Sequence, residues 1–123
     1  MAIILPSDIK HIIVEVITKN DKILVDPTVA KELAIKIAGL LKSDILEETY
    51  KKFDNGAYTF MAVLSTSHIV INTYPEKRYL DIDLAWCSDV DFNESLFSSF
   101  IENNLSPIKY NILFVDRKLA REI

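Results

Sequence analysis

The chain has 123 residues, half of them hydrophobic and about a quarter charged, and carries a net charge of −4. That length suits one domain with a sizeable core, and the acidic balance argues against a basic surface for nucleic acid. The single cysteine cannot form an intrachain disulfide, so we expect a reducing, cytoplasmic setting.

The composition also limits the cofactors that the chain can hold. Its two glycines, Gly39 and Gly56, cannot form a glycine-rich phosphate-binding loop. Two histidines and one cysteine lack the ligand spacing of a zinc site, so we predict no metal centre. Residues 1–6 lack the basic region of a signal peptide, and the apolar runs fall far short of the ~20 residues that span a bilayer. We therefore expect a soluble protein that forms one domain over residues 1–123.

The first half of the chain predicts a strand, a helix and a second strand. Residues 11–17 are nearly continuous in β-branched side chains, which is typical of a buried strand. Asp26 followed by Pro27 favours a helix start, because aspartate caps the first turn and proline loses no hydrogen bond there. Apolar side chains at helical spacing predict a helix over 27–42: Val29, Leu33, Ile37, Leu40 and Leu41. Residues 45–53 form a more polar strand that ends at a turn over 54–56.

The second half predicts three strands, a helix and a last strand. Strands over 57–64 and 68–73 are joined by the short link 65–67, and apolar and polar side chains alternate strictly over 79–86. Asp91 and Glu94 form a capping-box pattern that opens a helix. The apolar stripe of this helix is Phe92, Leu96, Phe100 and Ile101. The last strand covers 108–115, and the charged tail from Asp116 is expected to fray.

The element order β-α-β-β-β-β-α-β predicts an α+β fold, a two-layer sandwich in which a largely antiparallel sheet carries two helices on one face. The helices would cover Leu80, Ile82, Leu84 and Trp86. The other face is predicted to mix apolar and polar side chains: Tyr58, Phe60, Val70, Asn72, Asp81 and Asp83. Such a face is neither a core nor an ordinary surface, so we expect it to meet a ligand or a second sheet and predict a homodimer.

The serine at the strand junction, Ser67, suggests self-processing chemistry. A serine hydroxyl can attack the carbonyl of its own preceding peptide bond, and β-elimination of the resulting ester then cleaves the chain. Hydrolysis leaves a pyruvoyl group, which captures a substrate amine as a Schiff base and acts as an electron sink. These steps require a hydrogen-bond donor that stabilises the oxyanion, a base, and later an acid.

The residues around Ser67 resemble the prokaryotic-type S-adenosylmethionine decarboxylases, pyruvoyl-dependent enzymes of polyamine synthesis. Members of that family carry Glu-Ser-His-h-x-h-His-Thr-Trp-Pro-Glu, where h is apolar, and a later strand that ends in Thr-Cys-Gly. Here residues 66–76 read Thr-Ser-His-Ile-Val-Ile-Asn-Thr-Tyr-Pro-Glu, and residues 86–88 read Trp-Cys-Ser. The spacing from Ser67 to Cys87 fits without a gap, and Lys10-His11 resembles the family's Gly-x-His start. The likeness covers roughly residues 9–105.

The resemblance implies a role for each matching residue. Ser67 would be the pyruvoyl precursor, with cleavage between Thr66 and Ser67, and Cys87 would be the acid that protonates the product carbanion. Glu76 would bind the ribose hydroxyls of S-adenosylmethionine. Phe53 and Tyr74 would contact the nucleoside. The hydroxyl of Thr59 would assist processing.

Two departures from the family pattern affect the self-cleavage. Asn72 stands where the family has its histidine base, and the loss of a general base typically costs about 10²–10⁴ in rate. Thr66 replaces a glutamate, and its β-branching restricts the turn. Two alternatives therefore remain: an unprocessed, catalytically weak paralogue that acts as a binding or regulatory subunit, or a pyruvoyl decarboxylase of another amino acid such as arginine. The retained Glu76 argues against arginine, which has no ribose.

Without the family pattern, the same residues have ordinary structural interpretations. Turn residues account for the link over 65–67, and a lone cysteine such as Cys87 is more often a small buried residue than an acid. His11 and His68 would be structural histidines. Solvation or pairing would account for Asp81 and Asp83, and core packing for Phe53 and Tyr74.

Overall fold

The computed structural model describes residues 9–122, apart from the side chain of Arg121, so the expectation about residues 1–6 lies outside the described part. The strands are β1 (Lys10–Thr18), β2 (Ile45–Lys52), β3 (Tyr58–Leu64), β4 (Ser67–Tyr74), β5 (Tyr79–Trp86) and β6 (Pro107–Phe114). The helices are α1 (Asp21–Val25), α2 (Pro27–Leu40), α3 (Glu94–Asn104) and α4 (Lys118–Arg121), with a 3-10 turn at Pro75–Lys77.

The six strands form one antiparallel sheet in the order β2-β3-β4-β5-β1-β6. Strands β2 to β5 follow one another by short connections, whereas β1 lies between β5 and β6. Helices α1, α2 and α3 pack on one face, which confirms the predicted α+β sandwich. Across β4, β5 and β1, His68 and His11 are both register partners of Ala85.

The core lies between the helices and one face of the sheet. On β5 the four predicted residues Leu80, Ile82, Leu84 and Trp86 are all buried, as the alternation predicts. The indole of Trp86 packs against Phe97 with ring centroids 5.8 Å apart. Helix α2 buries three small residues, Ala30, Ala34 and Ala38, against the sheet. Their size lets the helix lie close to the strands.

The sequence predictions for the helices need four corrections. Helix α1 was not predicted, and it is capped by Asn20, whose side chain accepts hydrogen bonds from the amides of Lys22 and Ile23. Helix α3 is capped by Asn93 rather than Asp91, because the Asn93 side chain accepts from the Leu96 amide. Its buried residues are Phe97 and Ile101, whereas Leu96 faces solvent. The tail that was expected to fray forms the one-turn helix α4.

The prediction of which residues lie on the uncovered sheet face was also partly wrong. Tyr58 and Phe60 are buried at 1% and 2% exposure on the helix-covered face, where Phe60 is the register partner of Ile71. The alternation of buried and exposed residues along β3 is therefore opposite to the one predicted from the sequence. The open face instead carries partly exposed apolar side chains among polar ones: Ile13, Met61, Val63, Val70 and Leu113.

Candidate active site

Ser67 is the first residue of β4 and lies directly after a two-residue turn. Leu64 and Ser67 are register partners, so Ser65 and Thr66 form the connection between β3 and β4. The turn is anchored to the segment after α2. The Ser65 amide donates to the Asp44 carbonyl at 2.9 Å, and the Thr66 hydroxyl donates to the Ser43 hydroxyl at 2.9 Å. This anchoring fixes the peptide bond between Thr66 and Ser67.

The carbonyl oxygen of Thr66 receives two hydrogen bonds from Cys87. The Cys87 amide donates at 3.2 Å and the Cys87 thiol donates at 3.1 Å. Two donors that converge on one carbonyl oxygen stabilise the negative charge that develops there during nucleophilic attack. Cys87 is exposed rather than buried as a lone cysteine most often is, so it is accessible from solvent.

The loop that follows β5 holds Cys87 in this position. Lys10 is buried, and its ammonium donates to the Ser88 carbonyl at 2.8 Å. The Ser88 hydroxyl donates to the Leu41 carbonyl at 3.1 Å, and the Trp86 indole donates to the Val90 carbonyl. Ser88 is therefore tied to β1 and to the end of α2, and Trp86 braces the loop from within.

A second group of polar side chains lies beside Ser67 on the open face. His68 Nδ1 lies 3.4 Å from Ser67 Oγ, and His68 Nε2 lies 3.1 Å from Asp83 Oδ1. His11 Nε2 lies 2.8 Å from the same carboxylate oxygen. Ala85 separates the two histidines in the register, and its small side chain leaves space for both rings to reach Asp83.

The same three side chains offer ligand atoms within 4.8 Å of one another. A histidine that binds a metal normally donates its other ring N–H to an acceptor. Here Arg117 donates from Nε and a terminal nitrogen to His11 Nδ1, at 3.2 and 3.0 Å. A guanidinium has no acceptor atom, so this contact opposes metal ligation by His11. We assign no metal site, and the absence predicted from the sequence stays a prediction.

Asn72 lies in a different network, farther along β4. The Thr59 hydroxyl donates to Asn72 Oδ1 at 2.7 Å, and Asn72 Nδ2 donates to Asp81 Oδ1 at 3.0 Å. Thr59 and Asn72 are register partners on adjacent strands. Both polar atoms of the amide are thus engaged, and neither can take up a proton near neutral pH.

The predicted substrate-binding residues lie at the far end of the sheet. Tyr74 ends β4, Glu76 is exposed in the 3-10 turn, and Phe53 directly follows β2. Phe53 and Tyr74 are 49% and 43% exposed, so neither is a core aromatic. A depression on the open face borders Tyr74 and is lined by Glu15, Lys77, Tyr79 and Asp81.

Tyr79 in this depression is held in its neutral form. Its pKa is raised well above the ordinary value, first because partial burial disfavours the phenolate. Its hydroxyl also donates to Glu15 at 3.0 Å, and the nearby charge of Asp81 acts in the same direction. The depression therefore combines a neutral phenol with carboxylates.

The residues that the sequence predicted for the site lie at the two ends of β4, as a cleavage group and a substrate group. Thr66, Ser67 and Cys87 lie at one end of β4, and the second group lies toward the other end: Phe53, Thr59, Asn72, Tyr74 and Glu76. The 8 residues of β4 span about 23 Å from first to last at roughly 3.3 Å per residue. A side chain at one end of β4 therefore does not contact a side chain at the other end of the same strand.

Comparison with known proteins identifies the family. The family model described as S-adenosylmethionine decarboxylase matches residues 10–118. The S-adenosylmethionine decarboxylase proenzyme of Pyrobaculum arsenaticum is 34% identical over 95 residues, which cover 77% of this chain and 73% of that protein. An arginine decarboxylase proenzyme of Caldivirga maquilingensis is 30% identical over 111 residues, which cover 88% of this chain and 82% of that protein.

A solved structure shares the fold. The crystal structure of the adenosylmethionine decarboxylase from Aquifex aeolicus superposes with a TM-score of 0.73 and 19% identity, and the match covers 90% of this chain and 91% of that one. Among residues 9–122, no helix is long and apolar enough to cross a membrane. Because the family model spans most of its length, the chain belongs to the S-adenosylmethionine decarboxylase family.

Proposed function

We propose that the chain cleaves itself between Thr66 and Ser67 and then, with a pyruvoyl group derived from Ser67, decarboxylates S-adenosylmethionine. The product would serve spermidine biosynthesis in the cytoplasm. The observation that carries the proposal is the pair of Cys87 donors on the Thr66 carbonyl oxygen. This is the oxygen that must accept negative charge if the Ser67 hydroxyl attacks.

Cys87 can act in both stages of this proposal. During cleavage its amide and thiol stabilise the oxyanion of Thr66. Cleavage then removes the Thr66 carbonyl from Ser67, and the thiol can deliver its proton to the carbon that has lost carbon dioxide. The pyruvoyl group, once formed, supplies a carbonyl that holds the substrate amine and accepts electrons.

The separation of the two residue groups supports a homodimer in which each site draws on both copies. Ser67 and Cys87 of one copy would meet Glu76, Tyr74 and Phe53 of the second. The open sheet face is the surface available for this contact, because Met61, Val63 and Leu113 are 47%, 50% and 44% exposed there. Burial of such side chains against a second sheet would contribute stability.

Arginine is the second candidate substrate. A relative at 30% identity is named an arginine decarboxylase proenzyme, so at least one similar protein is named for arginine as its substrate. Glu76 favours S-adenosylmethionine, since its exposed carboxylate can accept hydrogen bonds from a ribose. A third possibility, an unprocessed paralogue, rests on Asn72 and its lack of a titratable nitrogen.

Two measurements test the proposal. Intact mass after prolonged incubation should give fragments 1–66 and 67–123, the second one ammonia lighter than a fragment that begins with serine. Release of carbon dioxide should then be measured with S-adenosylmethionine and with arginine as separate substrates. A single full-length mass in the first measurement would sink the proposal, and release from arginine alone would reassign the substrate.

A further inference from the structure

We propose that His68 is the base that removes the hydroxyl proton of Ser67 in the first step of self-cleavage. Asp83, His11 and Arg117 act as positioning residues that set the proton arrangement of the His68 ring. The inference rests on the proposed self-cleavage, but it concerns the ester-forming step and not the later decarboxylation.

Arg117 is the first of a series of contacting side chains that runs through His11 and Asp83 to His68. Its guanidinium can only donate, and it contacts His11 Nδ1 at 3.2 and 3.0 Å. His11 Nδ1 must therefore carry a lone pair, and in a neutral ring the hydrogen is on Nε2. That hydrogen points at Asp83 Oδ1, 2.8 Å away. His11, at 12% side-chain exposure, is thereby fixed as a donor to the carboxylate.

The same carboxylate fixes the tautomer of His68. A carboxylate is an acceptor, so the 3.1 Å contact requires the hydrogen of His68 on Nε2. The lone pair of His68 is then on Nδ1, the nitrogen that faces Ser67 Oγ at 3.4 Å. This distance is longer than a formed hydrogen bond, as is common for catalytic pairs before the reaction begins. The order serine, imidazole, carboxylate is the arrangement of an activated nucleophile.

No other described imidazole competes for this role. The chain has two histidines, and His11 directs its free lone pair toward Arg117. Asn72 lies about 16 Å from Ser67 along β4 at roughly 3.3 Å per residue. Its amide is also held by Thr59 and Asp81. The ring beside the nucleophile is therefore the base for the hydroxyl proton.

The step balances without any further reactant. His68 Nδ1 takes the hydroxyl proton while Ser67 Oγ forms a bond to the Thr66 carbonyl carbon, and the oxyanion accepts hydrogen bonds from Cys87. The tetrahedral centre then expels the Ser67 nitrogen as the carbon–nitrogen bond breaks. The proton on His68 moves to that nitrogen. The product is an ester between Thr66 and Ser67 with a free Ser67 amine, and Asp83 stabilises the transient imidazolium.

Hydroxylamine tests this step separately from pyruvoyl formation, because it cleaves the ester whether or not elimination follows. Uncut wild-type chain should give fragment 1–66 as a Thr66 hydroxamate and a fragment that begins with Ser67. In His68→Gln the rate of hydroxamate formation should fall by about 10²–10⁴-fold, the usual contribution of a general base. Imidazole added to His68→Gly should restore part of the rate, a response that a structural role would not produce.

The positioning residues are tested with conservative variants. Asp83→Asn should slow hydroxamate formation, Asp83→Glu should recover part of it, and the exposed Asp54→Asn should leave it unchanged. Long-range ¹H–¹⁵N spectra of the uncleavable Ser67→Ala chain should show neutral His68 protonated on Nε2. Equal rates in wild type and His68→Gln, a wild-type chain that gives no hydroxamate, or a proton on Nδ1 would each overturn the inference. Hydroxamate without pyruvoyl would instead support the inference and reject the proposed enzyme activity.

Discussion

The thiol of Cys87 lies 3.1 Å from the carbonyl oxygen of Thr66, although 21 positions separate the two residues in the chain. The contact depends on β4 and β5 being neighbours, with Ser67 opposite Trp86 in the register. One side chain thereby reaches both the bond that would break in the proposed self-cleavage and the position where the new N-terminus would form. In the proposed enzyme, self-cleavage and decarboxylation would share this residue.

Replacement of Cys87 should distinguish the contribution of its thiol to self-cleavage from that of its backbone amide. Cys87→Ala keeps the amide donor and loses the thiol, so the half-time of self-cleavage should lengthen by about 10²-fold, as for loss of one oxyanion donor. Cys87→Ser keeps a donor and should cleave faster than the alanine variant. Mass spectrometry over time gives the half-times. Equal half-times in wild type and Cys87→Ala would show that the thiol does not support the oxyanion.

Asn72→His should accelerate the completion of processing, because in the proposed homodimer the second copy would bring this imidazole to Ser67 as a base for the elimination step. The imidazole can keep the contact with Asp81 that the amide now makes at 3.0 Å. A gain of about tenfold is expected, below the roughly 10²–10⁴ range of general-base effects, because His68 already serves the first step. Asn72→Gln is the matched control. It changes the side-chain length without adding a base, so its half-time should not shorten.

The sequence predicted the strands well and the polar cluster poorly. The alternation in β5 is strict and gave the correct bounds at Tyr79 and Trp86. Asp91 and Asn93 are both good caps near the start of α3, and sequence preference alone does not choose between them. His11, His68 and Asp83 come from three strands that meet because β5 lies between β4 and β1. The order of strands in a sheet leaves no local signal in the sequence. The spacing of these three residues along the chain therefore could not reveal the cluster.

Mixed dimers should show whether the site is shared between two copies. Ser67→Ala and Glu76→Ala chains should each be nearly inactive alone. Coexpressed, they should recover about a quarter of wild-type decarboxylation, because half of the dimers are mixed and each holds one complete site of two. Val70→Arg introduced into both chains places a charge on the open face and should abolish the recovery. Activity no higher than that of the parents would place the whole site within one chain.

The cap of α3 should affect stability at Asn93 but not at Asp91. Asn93→Ala removes the acceptor for the Leu96 amide and should lower the free energy of unfolding by about 0.5–2 kcal/mol. Asp91→Ala is the matched control, since that side chain is 94% exposed and reaches Lys10 only at 3.9 Å. Urea unfolding of the three proteins measures the difference. A larger loss for Asp91→Ala would mean that the capping box operates after all.

Tyr79 should make the protein lose stability in alkaline solution. Its pKa is raised in the folded chain by partial burial and by its hydrogen bond to Glu15, whereas in the unfolded chain it titrates near the ordinary value of about 10. The folded state therefore holds the proton more tightly, and its contribution is fully present below about pH 10 and lost as the pH rises further. Tyr79→Phe cannot titrate, so the stability difference between wild type and this variant should shrink between about pH 9 and pH 11. Urea unfolding at several pH values measures this difference, and a gap that stays constant would contradict the raised pKa.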